Sequence, residues 1–159
     1  MAGTVYIETS IISYLTSRVS QNLIAAARQQ LTQMWWDSRF KYELYISEVV
    51  SRECAAGDPR AAKKRLEAIE GLSLLRVTKE AIEISKAMVA LGIIPAKAAE
   101  DALHISIATV HAMDFLLTWN CKHIANPEIQ KCIALYLEEQ GLFLPFICTP
   151  EELLGVDYE

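Results

Sequence analysis

The stretch from Ala98 to Asn120 restricts the fold more than any other part of the chain. Its first part carries alanine, isoleucine and leucine on almost every face. That is the pattern of a helix buried on most sides, not of an amphipathic surface helix. After His111-Ala-Met-Asp114, a short apolar run, Phe115-Leu-Leu, stops at Thr118-Trp-Asn120 and has the length of a buried parallel strand. Asp101 then lies in the first turn of a central helix and Asn120 where the next strand ends. In an open parallel sheet, helices begin and strands end at one carboxyl edge, where ligands bind. A carboxylate and an amide placed at that edge amount to half of a site.

The rest of the chain supplies the other elements. Thr4-Val-Tyr-Ile7 reads as a first strand whose exit is Glu8-Thr9-Ser10, with Thr9 or Ser10 capping a short helix over Ile11 to Leu15. Leu23, Ala27, Leu31, Met34 and Trp35 recur at helical spacing and predict a long helix from Ser20 to about Arg39. Lys41 to Ile46 predicts a second strand, with Ser47 capping a helix from Glu48 to about Ala56. Asp58-Pro59 opens a basic helix to about Glu70. Leu72 to Val77 predicts a third strand, and Thr78 caps a helix through Ala90. Beyond Asn120, Asn126-Pro127 starts a helix to about Glu139, Phe146-Ile-Cys148 reads as a last strand, and Thr149-Pro-Glu-Glu152 has capping-box spacing. Strands separated by helical stretches predict one domain over 1–159, a three-layer α/β/α sandwich with a mostly parallel central sheet.

Composition narrows the class. Of 159 residues, 52% are hydrophobic and 22% charged, which is too apolar for disorder. No apolar run approaches the roughly 20 residues of a membrane span. The start lacks a basic and apolar leader, so a cytoplasmic protein is expected. Cys54, Cys121, Cys132 and Cys148 form no Cys-x-x-Cys pair and read as reduced thiols; Cys121, His123 and Cys132 are poorly spaced for zinc. The net charge of −5 argues against a surface coated for non-specific nucleic-acid binding, although not against a local cleft for RNA. Positive charge gathers at Arg52, Arg60, Lys63, Lys64 and Arg65, a set that suits either a solvated helix face or a phosphate-steering one.

Topology also collects acids. Glu8 follows the first strand, Glu48 or Glu53 follows the second, and Asp101 and Asn120 come from the central unit. Two carboxylates about 4 Å apart repel by several kcal/mol at an effective dielectric near 20, so such a cluster must spread, bind protons or hold a cation. Oxygen-only ligands without clustered His or Cys favour Mg²⁺ or Mn²⁺. A hard cation with open water positions activates water and stabilises charge on a phosphoryl oxygen.

Val5-Tyr-Ile-Glu-Thr-Ser-Ile, Ile46-Ser-Glu-Val-Val-Ser-Arg-Glu53, Glu100-Asp-Ala-Leu-His-Ile-Ser-Ile-Ala and Leu116-Leu-Thr-Trp-Asn, taken in series, resemble the PIN-domain family, whose most abundant small members are VapC-type toxins. The resemblance implies Mg²⁺- or Mn²⁺-dependent cleavage of single-stranded RNA, with an antitoxin as partner. It places Glu8, Glu53 and Asp101 as metal ligands, and Asn120 where many members have a fourth Asp. Glu48 remains a second choice to Glu53. Thr9, Ser10 and Thr118 are then expected beside the substrate. Glu at position 8 reaches about 1.5 Å further than Asp, and Asn120 removes a charge, so cation binding is expected to be weaker than in the family.

His104, at i+3 from Asp101, suits a phosphate contact or a satisfied interior histidine, and His123 follows the Asn120 turn. Trp119 suits either the core or a base-stacking rim. Trp35 and Trp36, side by side on the long helix, suggest a homodimer face or simple core packing. A dinucleotide binder would need a Gly-x-Gly-x-x-Gly loop after a strand, and none is present. The rival to a nuclease is a catalytically weak or inactive protein of the same fold that binds RNA or a partner protein as a regulator.

Overall fold

A computed structural model describes residues 2–155. Five strands, β1 (Thr4–Ile7), β2 (Glu43–Ser47), β3 (Ser73–Leu75), β4 (Phe115–Leu117) and β5 (Phe146–Cys148), form one all-parallel sheet in the order β3-β2-β1-β4-β5. The helices are α1 (Thr9–Thr16), α2 (Leu23–Asp37), α3 (Glu48–Ala55), α4 (Pro59–Ile69), α5 (Lys79–Ala90), α6 (Ala99–Val110), α7 (Pro127–Glu139) and α8 (Pro150–Leu154). Strand order reverses between β1 and β4. Because parallel crossovers are right-handed, that reversal sends the helices before β3 to one face and those between β3 and β5 to the other, while α8, which follows the last strand, packs on α2. The contacts agree: α1, α3 and α4 pack together, and α5 packs on α6. The result is the expected three-layer sandwich.

Val5, Tyr6 and Ile7 are fully buried, as are Leu116 and Leu117, so the central strands are covered on both faces. The central helix behaves as its composition requires, with every residue from His104 to Thr109 buried. At its end the backbone turns through Ala112, which has φ +53°. An L-residue there costs about 1–2 kcal/mol. Ala112→Gly is therefore expected to stabilise the fold by about 0.5–1 kcal/mol in urea denaturation.

Several boundaries differ from the sequence expectation. Helix α1 begins at Thr9 because Glu8, not Thr9 or Ser10, is its cap and accepts the Ser10 N–H. Helix α2 begins at Leu23 because the Asn22 side chain accepts the Ala25 N–H, and Arg39–Lys41 form a 3₁₀ turn that delays β2 to Glu43. Leu23 and Met34, placed on the inner face by periodicity, are exposed. Trp35 is buried and stacks on Tyr42 at 5.9 Å, while Trp36 packs against the core. The tryptophan pair thus supports the core, while Leu23, Ile24 and Met34 leave apolar surface exposed along α2.

Candidate active site

The switch between β1 and β4 opens a crevice at their carboxyl ends, and both exits deliver polar groups into it. Glu8 leaves β1 and is 6% exposed. Its carboxylate accepts the Ser10 N–H at 3.1 Å, the Ser10 hydroxyl at 2.5 Å and the Thr118 hydroxyl at 2.5 Å. Ser10 Oγ in turn accepts the Trp119 N–H at 2.8 Å, and Thr118 Oγ1 accepts the Asn120 N–H at 2.9 Å. One side chain therefore caps α1 and staples it to the end of β4.

Glu53 enters from α3. Its Oε1 accepts the Thr9 hydroxyl at 2.6 Å and lies 2.6 Å from His104 Nε2 on α6. Glu48, the alternative second acid, turns away and accepts the Val77 N–H at 3.3 Å. On the far side of the ring, His104 Nδ1 lies 2.7 Å from Tyr6 Oη, which lies 2.8 Å from Ser47 Oγ. Tyr6 shares a strand face with Glu8 at i+2, and that spacing was the sequence signal for this relay. Burial alone would lower the pKa of His104. The hydrogen bond to Glu53 and the charges of Glu8, Glu53 and Asp101 outweigh it, so the ring holds its proton above the ordinary range. Burial would likewise raise Glu53, but the bond to His104 and the imidazolium charge hold it low.

Asp101 sits in the first turn of α6, and its Oδ2 is 3.2 Å from His123 Nδ1. Asn120 Oδ1 accepts the His123 N–H at 3.0 Å, a local turn that aims the His123 ring at Asp101. On these four half-buried side chains Glu53 Oε2, Asp101 Oδ1, Asn120 Nδ2 and His123 Nε2 are left without a partner. The exposed pair Arg52–Glu100, at 2.8 Å, straps α3 to α6 beside them.

Four residues expected beside the substrate are instead committed inward. His104 is 1% exposed with both nitrogens engaged, Thr118 is fully buried, and the Thr9 and Ser10 hydroxyls serve Glu53 and Glu8. They position acids. Trp119 is 6% exposed and donates its indole N–H to Thr32 at 2.7 Å, so it belongs to the core and not to a stacking rim. Arg28 covers it at 5.1 Å.

The donor set suits a hard cation, since every outward carboxylate contributes oxygen. Among the described residues, however, no three of the acids, histidines and cysteines converge to enclose an ion by themselves. Glu53 and Asp101 each offer an oxygen with no partner, whereas Glu8, expected as a direct ligand, already accepts three hydrogen bonds. That arrangement fits Mg²⁺ or Mn²⁺, which keeps several waters and takes one or two carboxylates. Cys121, His123 and Cys132 form no metal-binding group, and the cysteines are unpaired. Burial pushes the Cys54 thiol up to about 11.

The Glu53–His104 pair carries a pH signature. A ring whose pKa is raised by folding stabilises below its ordinary value, about 6.5, and loses that contribution as pH climbs through the raised value. A lowered carboxylate stabilises above about 4.3 and loses it as pH falls through the lowered value. With chelator present, the melting-temperature gap between the unsubstituted protein and His104→Gln is expected to be widest between about pH 4.3 and 6.5. A gap that does not vary with pH would remove the ion pair.

No protein-family model matches the chain, and no curated protein sequence matches it. Solved structures do. The chain is similar to VapBC2 from Rickettsia felis, crystallised bound to a DNA fragment of its promoter, with TM-score 0.53 and 13% identity over 92% of this chain and 98% of that one. It is also similar to VapC20 of Mycobacterium tuberculosis, described as a sarcin–ricin loop cleaving toxin, with TM-score 0.57 and 15% identity over 74% of this chain and 91% of that one. The fold is thus the PIN-like fold of VapC chains, reached at an identity that speaks for architecture alone. Among the described residues no helix is long and apolar enough to cross a membrane.

Proposed function

We propose that this chain is a Mg²⁺- or Mn²⁺-dependent endoribonuclease that cuts single-stranded RNA, the toxin of a toxin–antitoxin pair with a small protein as its antitoxin. The supporting observation is that Glu8, Glu53 and Asp101 stand at one carboxyl edge of the sheet, Glu53 bonded to His104 and Asp101 to His123 through one oxygen each, so that each of these two keeps a second oxygen free. A structural neighbour described as an RNA-cleaving toxin has the same architecture. Glu53 and Asp101 would hold the cation directly, and Glu8 would add negative charge from beneath without touching it. When bound, the ion supplies an activated water and neutralises charge on a phosphoryl oxygen.

The chain's own groups do the rest. Protonated His104 offsets one negative charge and orients Glu53 through Nε2. Asp101 fixes the His123 ring, leaving Nε2 toward the substrate. Asn120 Nδ2 offers two donors to a water or a phosphodiester oxygen. Incubating the protein with single-stranded RNA and Mn²⁺ is expected to yield cleavage that chelator abolishes. Uncut RNA at every metal concentration would sink the reading.

One observation favours a second reading, an RNA- or protein-binding regulator with little catalysis: Asn120 carries no charge, and the Glu8 carboxylate already accepts three hydrogen bonds from the protein. Mn²⁺ titration followed by calorimetry separates the two. The nuclease is expected to bind Mn²⁺, more weakly by about ten-fold or more in Glu53→Gln, as one fewer charged ligand remains. A regulator would show no such heat.

A further inference from the structure

The far end of α1 holds a second feature that the acidic crevice does not use. Between Thr16-Ser17-Arg18 and the first turns of α4 lies a cavity of about 610 Å³, lined also by Asp58, Arg60, Ala61 and Lys64. Three of its lining residues are cations, and none forms an ion pair among the described residues. Its one acid, Asp58, spends an oxygen on the Ala61 N–H at 3.0 Å. Ser17 Oγ accepts the Gln29 amide at 2.8 Å, which leaves the hydroxyl proton free to donate. On a chain of net charge −5, three unpaired cations in one concavity reverse the local sign, and a concave low-dielectric wall concentrates that field.

The neighbouring basic residue is used differently. Arg65 donates to the Cys54 and Ala56 carbonyls at 3.0 and 2.5 Å and holds α4 against the end of α3. The cations in the cavity have no such structural task. Helix α1 runs from Thr9, which is bonded to Glu53, to Thr16 at the cavity, a span of about 12 Å for eight residues. At about 3.4 Å per stacked nucleotide, three or four nucleotides bridge the two ends.

We propose that this cavity binds the phosphodiester backbone of single-stranded RNA, with Arg18, Arg60 and Lys64 each meeting a phosphate a few nucleotides from the acidic crevice. The ligand class rests on the ribonuclease reading. Arg18 and Arg60 supply planar donor forks for phosphate oxygens, and Lys64 a point charge. The protein thereby recovers, in one place, the attraction for RNA that its net charge denies it.

The test is fluorescence anisotropy with a labelled single-stranded RNA of about 20 nucleotides, run in chelator across about 50–500 mM salt. It compares the unsubstituted chain with the triple variant Arg18→Gln, Arg60→Gln, Lys64→Gln. Three lost phosphate contacts at about 0.7 each should flatten the log–log salt dependence by about 2 and weaken low-salt binding at least ten-fold. The far-ultraviolet circular dichroism melt should be unchanged, since the three side chains are exposed and unpaired. Equal affinity and slope in the two proteins, or no RNA binding by the unsubstituted chain, would overturn the proposal. A chain that never cuts RNA, yet loses its salt-dependent binding in the triple variant, sinks the nuclease reading and keeps this one. A chain that cuts RNA while the triple variant binds as before does the reverse.

Discussion

Replacing Asp101 with alanine is expected to lower Mn²⁺-dependent RNA cleavage by about 10³-fold or more while the fold survives. The activity loss follows from removing one of the two carboxylates with a free oxygen at the crevice, because a single electrostatic group in such a site is worth about 10²–10³ and a bound ion several kcal/mol. The stability loss is small for a different reason. Asp101 is only half-buried, its one partner is His123, and a carboxylate in the first turn of a helix contributes about 0.3–1 kcal/mol through the dipole. That corresponds to a few degrees in melting temperature for a chain of this length. Glu100→Ala is the matched control: it removes the adjacent acid, which only pairs at the surface with Arg52, and should leave cleavage within about two-fold. Rates with a defined oligonucleotide under single-turnover conditions decide the matter. Cleavage retained by Asp101→Ala would take that residue out of the mechanism.

Replacing Glu8 with alanine is expected to act the other way, on the fold first. The substitution removes the cap of α1, worth about 1 kcal/mol, and leaves the half-buried hydroxyl of Ser10 and the buried one of Thr118 without their acceptor at about 1–2 kcal/mol each. A loss of about 3–5 kcal/mol is a large share of a net stability of about 5–15 kcal/mol. At about 2–4 °C per kcal/mol for this size, the melting temperature should drop by about 6–20 °C. Glu8→Gln keeps the shape and one acceptor oxygen, so it should lose less than half as much. Its cleavage should instead require more Mn²⁺, because the negative charge beneath Glu53 and Asp101 is gone. Full stability in Glu8→Ala, measured by calorimetry, would show that the staple between α1 and β4 carries nothing.

The two substitutions separate roles that look alike along the chain. Glu8 and Asp101 both stand where a strand or helix meets the carboxyl edge, and nothing in their sequence context distinguishes ligand from cap. The extra methylene of Glu8 was read as added reach toward a metal. In the structure the side chain folds back onto its own helix, where three donors compete for it more closely than the open crevice does. The same competition explains Thr9, Ser10 and Thr118: short hydroxyl side chains beside a desolvated carboxylate are drawn to it, since an unpartnered buried charge costs more than any solvent contact they give up.

What the chain alone determined is the architecture and the sheet edge to which Glu8, Glu53 and Asp101 are delivered. Apolar residues on all faces of α6, short β-branched strands and Asp, Asn and Thr caps such as Asp58, Asn126 and Thr149 are local signals. Together with right-handed crossovers they leave few topologies open. Only the tertiary structure turned Glu48 to Val77 and Glu53 to His104, seated His104 between Tyr6 and Glu53, and put His123 against Asp101. It alone gathered Arg18, Arg60 and Lys64 around one cavity. The physical reason is range: periodicity and caps act over a few residues, whereas hydrogen-bond competition and charge compensation are settled between groups tens of residues apart, once packing has removed the water that would have served them all.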